Sequence, residues 1–466
     1  MKKLLLIIIL ISSSINSQNI TLDNTFGTSG ITTLNRVNTR GSVMKLQSDG
    51  KILILGFVET SSTIFITRLN IDGSLDLNFG NNGFFETNSN EDFVSINILS
   101  NDKILIGLYS PTKIIKLNSN GSLDTSFGTN GEVDLSSLII SSDLRTVLVE
   151  PDNSILAIGY DQIVKVLSNG TIDTSFGVNG NIDTPISNSI YSNDNKLLSI
   201  ISAGSGGSSG LYKLIKKEIN GNLITSFGTN GEVSITDLDN NDTGFKIFTD
   251  SNGKIIVITS RETQLRITRY LANGQIDLSF AQNGNIIDNN NPPRLLDFKV
   301  NGTKLLFTGV SNTTQSPLNL YIAQYNENGT IDTSFNSNGI YLEDTNTANE
   351  YADNIYLLNN GDILVSGGYL NENENYFVAR YINTTLSVNG INDRNQISFK
   401  NPSENELNIY SKKTIQTLML FNSNGKIIRT SKGDFMDLSF INDGIYFIKI
   451  VFNDNQIIRS KLIIKK

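Results

Sequence analysis

The sequence predicts an all-β protein: a seven-bladed β-propeller followed by a small C-terminal Ig-like β-sandwich. Three observations predict it. A nine-residue run such as "IDTSFGVNG" (172–180) returns about every 50 residues as far as residue 339. Each interval holds four short β-branched segments parted by Asn-Gly, Asp-Gly or Asn-Asp, residues that tolerate the positive φ of hairpin turns. The last stretch, of about seventy residues, changes composition and becomes alternating strands with regular turns.

The run is most regular as "LDTSFGTNG" (123–131), "LITSFGTNG" (223–231) and "IDTSFNSNG" (331–339), and looser as "LDNTFGTSG" (22–30), "LDLNFGNNG" (75–83) and "IDLSFAQNG" (276–284). Its phenylalanines are Phe26, Phe79, Phe127, Phe176, Phe227, Phe280 and Phe335. A short strand such as "GEVDL" (131–135) follows each run. A second strand then leads through a polar turn into a β-branched run, as in "LQSDGKILILGF" (46–57). A fourth strand, such as "TIFITRLN" (63–70), passes into the next run. Four antiparallel strands in about 50 residues make a propeller blade. Seven such quartets fit between Ile31 and about Asn383. The last of them, ending "YFVARYINTTLSVNG" (376–390), lacks a run, whereas one run stands ahead of the first quartet. Ring closure by the N-terminal segment explains both and leaves no open sheet edge.

Within "DTSFG" the Asp and Ser suit Asx- and ST-type turns, the Phe an apolar anchor between blades, and the Gly a φ closed to other residues. Ile224 replaces the Asp in the fifth copy, and Ala281 and Asn336 replace the Gly in the sixth and seventh. A catalytic residue would not drift so freely, so the run reads as a structural joint. The pattern "NGSLDTSFGTNG" (120–131) resembles the delta-60 repeat of bacterial surface and secreted proteins, over about residues 20–383. The resemblance implies a propeller and carries no settled activity.

The 37 Lys+Arg against 45 Asp+Glu leave a net charge of −8, which offers no basic footprint for nucleic acid. With no His and no Cys, Ser-His-Asp and Cys-His arrangements and thiolate or imidazole zinc sites are excluded. Carboxylate, Tyr, Lys and Ser/Thr chemistry and oxygen-ligated metals remain open, and no catalytic motif or cofactor site is identified. Asp237, Asp239 and Asp242 in "DLDNNDTG" have spacings suited to calcium, but the Gly and distal Glu of an EF-hand loop are missing. A solvated loop is the preferred reading there.

The start, "MKKLLLIIILISSSINSQN", has lysines, an apolar run at Leu4–Ile11 and a small-residue segment, the layout of a secretory signal peptide with cleavage near Ser17–Gln18. No later stretch is long and apolar enough for a transmembrane helix. At the other end, "LNIYS" (407–411), "TIQTLMLFN" (414–422), "GKIIRT" (425–430), "FMDLSF" (435–440), "GIYFIKIVF" (444–452) and "IIRSKLIIKK" (457–466) read as the strands of the sandwich. This segment is similar to the C-terminal sorting domain of the type IX secretion system of Bacteroidetes. The matching residues include Asn401-Pro402, Gly425-Lys426, Asp437-Leu438-Ser439, Gly444 with Tyr446, and Lys465-Lys466. Lys400 stands where Tyr or Phe often precedes the Asn-Pro. The resemblance implies the type IX machinery as a partner and release outside the cell or anchoring at its surface.

The expected organisation is a signal peptide at 1–17, a propeller at 18–385, a linker at 386–400 and a sorting domain at 401–466. The expected function is a monomeric, secreted or surface binding module for an extracellular glycan or protein, leaning away from an enzyme. A carbohydrate-active hydrolase or lyase using carboxylates or Tyr, and a structural surface-layer component, stand as alternatives. Variable connections such as "SP" (110–111), "SAGSGGSSGL" (202–211), "VSNTTQSPLNL" (310–320) and "LNENENY" (370–376) should share one face and carry any specificity.

Overall fold

The computed structural model describes residues 18–465 apart from 35–38, 59, 88–91, 140–143, 187–188, 203–211, 236–244, 251, 261–263, 290–291, 302, 312–317, 344–349, 359, 370–375, 386–396, 401–402, 412, 423–426 and 454–456. The signal-peptide segment, nearly all of the linker and the candidate calcium ligands Asp237, Asp239 and Asp242 therefore lie outside the described residues. The chain divides into two compact units, Met1–Thr384 and Thr385–Lys466.

The first unit is a β-propeller built of antiparallel sheets, seven of them among the described residues. The first sheet shows the plan: Thr39–Leu46, Ile52–Val58, Thr63–Leu69 and Phe84–Glu86, each strand paired with the next. Two-sided burial explains the sequence of its middle strands. "ILILGFV" is continuously apolar and "TIFITRL" is buried at all but its first position, Thr67 and Arg68 included, because both faces of each sheet are covered by neighbouring sheets. The first strands of the later sheets are Asp92–Ile98, Thr146–Val149, Ser189–Tyr191, Phe245–Thr249, Arg294–Asn301 and Glu350–Leu357. Each touches the first strand of the next sheet, and Glu350–Leu357 touches Thr39–Leu46, so the cycle closes around a central channel.

The structure corrects the phase of the predicted quartets. The short strand after each run is the outer strand of the sheet that precedes it: Glu132–Asp134 pairs with Lys113–Leu117 and completes the second sheet. The repeated run thus lies inside a sheet, between its third and fourth strands. The hydrophobic pattern could not reveal this, because a short strand flanked by turns is equally compatible with either neighbour. The seventh sheet shows the consequence. Glu350–Leu357, Ile363–Tyr369 and Tyr376–Thr385 supply three strands, and the N-terminal Gln18–Leu22 and Ile31–Thr33 pair with the last of them. Ile31 lies opposite Ala379 and Thr33 opposite Phe377, so chain positions more than 340 residues apart share one sheet.

In the second unit, Ile427–Lys432, Ile415–Phe421, Gly444–Phe452 and Ile457–Ile464 form one antiparallel sheet. Ile397–Ser398 pairs with Tyr410–Ser411, and Glu406–Asn408 with Phe435–Asp437. Alternation along "IQTLMLF" buries Leu418 and Leu420 against Leu407, Met436, Ile448, Ile450 and Leu462 in a core of the unit's own.

Candidate functional site

The repeated run meets every neighbour it needs within the ring. In the second sheet, Phe127 is buried between Leu105 and Ile114 of its own sheet and Val147 and Val164 of the third. Asp124 accepts the Ser126 hydroxyl at 2.6 Å and Lys103 Nζ at 2.8 Å, with Lys116 Nζ 3.7 Å away. The Lys116 ammonium lies 4.9 Å above the Phe127 ring and donates to the Ser168 carbonyl of the next sheet at 2.9 Å. The Gly128 N–H donates to the Asn169 carbonyl in the same turn. Carboxylate, cation, ring and neighbouring turn thus form one stacked joint.

The arrangement recurs, and its basic member is the residue the sequence reading overlooked. Arg68, Lys116, Lys165, Lys216, Arg269 and Arg380 all stand over the Phe of their own run, at 4.5–6.0 Å. In the fifth sheet Arg269 is 2% exposed, pairs with Asp277 through Nε and Nη2 at 2.9 Å, and reaches the Glu327 carbonyl of the sixth. At the closure, Arg380 pairs with Asp23 at 2.8 Å, tying third strand to N-terminus, and donates to Ile71 O of the first sheet at 2.6 Å. The signal was a basic residue eight positions before the Asp in most copies, as in 68/76, 116/124 and 269/277. Burial pushes these carboxyls up, but hydrogen bonds from lysine and serine and the adjacent charges outweigh it, holding Asp124, Asp277 and Asp332 at about 2.

Where the run departs from its pattern, the structure supplies a substitute or a looser joint. Ile224 cannot accept a charge, and Lys216 turns instead to Asp194, at 2.9 Å, from the turn before the second strand of its sheet. Gln324 replaces the cation opposite Asp332, donating at 2.8 Å, while Lys304 supplies the charge at 2.9 Å. Phe176 is the exception among the seven rings. It is half-buried, whereas Phe26, Phe79, Phe127, Phe227, Phe280 and Phe335 are buried. Lys165 is drawn to Glu150 at 2.7 Å, and no bond from Gly177 N–H to the following turn occurs among the described residues. The motif serines and threonines also act differently from the expectation: their hydroxyls donate to the Asp, as Ser279 does to Asp277 at 2.5 Å and Thr25 to Asp23 at 2.7 Å.

The connections divide by face, because successive antiparallel strands end on opposite sides. First-to-second connections span five residues in six of the seven sheets, for example 47–51 and 192–196. These share a face with the repeated runs. Second-to-third connections range from two residues (111–112) to nine (203–211) and join strand ends on the opposite face. There Tyr109 is 38% and Tyr160 47% exposed, and the Arg145 guanidinium lies 6.0 Å from the Tyr160 ring.

Among the sorting-segment residues, Gly444 opens a strand, and Tyr446 packs on the core and donates its hydroxyl to the Asn442 carbonyl at 3.0 Å. Lys465 is exposed, and its N–H donates to the Ser403 carbonyl at 2.9 Å, while Ser403 forms a parallel bridge with Ile464. The segment beside Asn401-Pro402 and the C-terminal end therefore lie together. Asn401, Pro402, Gly425, Lys426 and Lys466 are outside the described residues. Among the described residues no group of acidic side chains is arranged to hold a metal ion.

Comparison with known proteins agrees with both units. The family model "Domain of unknown function (DUF5122) beta-propeller" matches residues 47–79, 100–127, 150–176, 251–280 and 304–335. The segments left out include the run whose Asp is Ile224 and the N-terminal copy. The model "Secretion system C-terminal sorting domain" matches residues 399–465. No curated protein matches the chain. One similar solved structure is a catalytically inactive variant of virginiamycin B lyase from Staphylococcus aureus with quinupristin, at 12% identity and a TM-score of 0.45, covering 75% of this chain and 98% of that one. Another is the extracellular domain of a protein described as a hybrid two-component system from B. thetaiotaomicron, at 8% identity and a TM-score of 0.41, covering 97% of this chain and 60% of that one. No helix among the described residues is long and apolar enough to cross a membrane. A DUF5122 beta-propeller region followed by a type IX secretion-system C-terminal sorting domain makes this chain a secreted or cell-surface protein.

Proposed function

We propose that the exported propeller is a binding module that takes an extracellular glycan or protein on the face opposite the repeated runs. The observation that carries this is the division of labour between faces. The runs spend their Asp, cation and Phe on joining sheets, while the connections that differ in length from sheet to sheet meet on the other side. Tyr109 and Tyr160 give that face exposed rings of the type that contributes contact area at low entropic cost.

A screen of the purified propeller against glycans and outer-surface proteins tests the reading. A specific ligand should be found, and Y109A/Y160A should weaken it with an unchanged melting profile. Absence of any ligand, or a ligand lost only on changing residues of the motif face, would overturn it.

A further inference from the structure

The inner strands place an asymmetric set of side chains around the channel. At one register level, paired to Leu53, Leu306 and Leu364 of the adjacent strands, stand Lys45, Lys299 and Tyr356. They belong to the first, sixth and seventh sheets, which are consecutive in the ring. Asn97 of the second sheet extends this polar arc, and on the other arc the same level holds Leu148, Ile190 and Phe248. Four consecutive members of the layer are cationic or polar, and three are apolar.

Lys299 of the polar arc lines a cavity of about 380 Å³ together with Ile190 and Phe248 of the apolar arc and with Phe298 and Val300. Lys299 Nζ lies 3.1 Å from Asp297 Oδ2 and 5.1 Å from the centre of the Tyr356 ring. Asp297 Oδ2 is also held by the Ile355 N–H at 3.0 Å, so this carboxylate is fixed in place. Lys45 has no hydrogen bond or ion pair among the described residues. Burial lowers the affinity of its ammonium for a proton, the Lys299 charge lowers it further, and Asp297 acts in the opposite direction. Lys45 and Lys299 share one layer with a single carboxylate, Asp297, so the polar arc carries an excess positive charge beside the apolar lining of the cavity, where an anionic head and an apolar body find adjoining partners.

We propose that the central channel binds a small amphipathic carboxylate, with its anionic head at Lys45 and Lys299 and its apolar body against Ile190 and Phe248. The site is independent of the loop-face reading, since it lies inside the ring on other residues.

Calorimetric titration of the full exported chain with 4-phenylbutanoate and with the uncharged 4-phenylbutanamide tests the assignment. The acid should bind about tenfold or more tightly than the amide. K45Q should abolish that preference, K45R should retain it, and F248A should weaken acid and amide alike. Equal binding of acid and amide to the parent, no binding of either at millimolar concentration, or full preference in a folded K45Q would overturn the proposal. Should K45Q fail to fold, the acid-to-amide ratio in the parent and in K299Q decides.

Discussion

Truncating Phe127 to Ala measures what one joint contributes. Its ring is 1% exposed and packed between Leu105 and Ile114 on one side and Val147 and Val164 on the other. Deleting a buried Phe costs about 3–5 kcal/mol, and losing the Lys116 ammonium from its face adds about 0.5–1 kcal/mol. At about 2.1 cal/mol/K of unfolding entropy per residue, a propeller of roughly 360 residues melting as one unit loses about 5 °C for each ~4 kcal/mol. Phe176→Ala is the internal control. Its ring is half-buried and its neighbouring turn is not tied to Gly177, so about half of that effect, roughly 2–3 °C, is expected. Calorimetric melts of both variants beside the parent provide the readout. Equal losses for the two, or a silent Phe127→Ala, would refute the reasoning that burial between sheets sets the worth of each ring.

Ala281 holds φ at +44°, and where Gly occupies the equivalent place in the second sheet, a Cβ at Gly128 would stand 2.1 Å from the Glu132 carbonyl. Ala281→Gly should therefore stabilise by about 1 kcal/mol despite its entropy cost, measurable as a raised urea midpoint. Asn336→Gly should gain less, since Asn336 Nδ2 donates to the Ile340 carbonyl at 2.8 Å. Asp124, Asp277 and Asp332 have folded values near 2, below the ordinary 3.8, so their stabilisation is present above about pH 4 and lost as pH falls through about 2. Urea midpoints from pH 5 to pH 2 should fall, and less steeply in D124N; an unchanged slope would contradict the assignment. Removing residues 18–33 should bare the edge of Tyr376–Thr385 and drive aggregation, whereas a monodisperse, equally stable product on light scattering would count against closure. Removing residues 391–466 should leave a folded propeller that stops in the periplasm, detectable by fractionation with an antibody against the propeller; arrival of the truncated form outside the cell would contradict the sorting role.

The fold class, the repeat and the sorting segment were legible in the chain because each rests on local chemistry. Alternating and β-branched runs, Asn-Gly turns and the "DTSFG" spacing impose strands and turns whatever surrounds them. Even closure could be read, from a run without a quartet at one end and a quartet without a run at the other. Tertiary structure alone decided which neighbour each short strand joins, since hydrogen bonding to Lys113–Leu117 rather than to the following strand is a long-range choice that a three-residue segment such as "EVD" does not encode. It also decided which of seven similar rings is half-buried and which carboxylate replaces the one lost at Ile224. The placing of Lys45 and Lys299 at one level of the ring belongs to the same class. Residues 254 positions apart share that level only because a closed ring brings the first and sixth sheets to the two sides of the seventh.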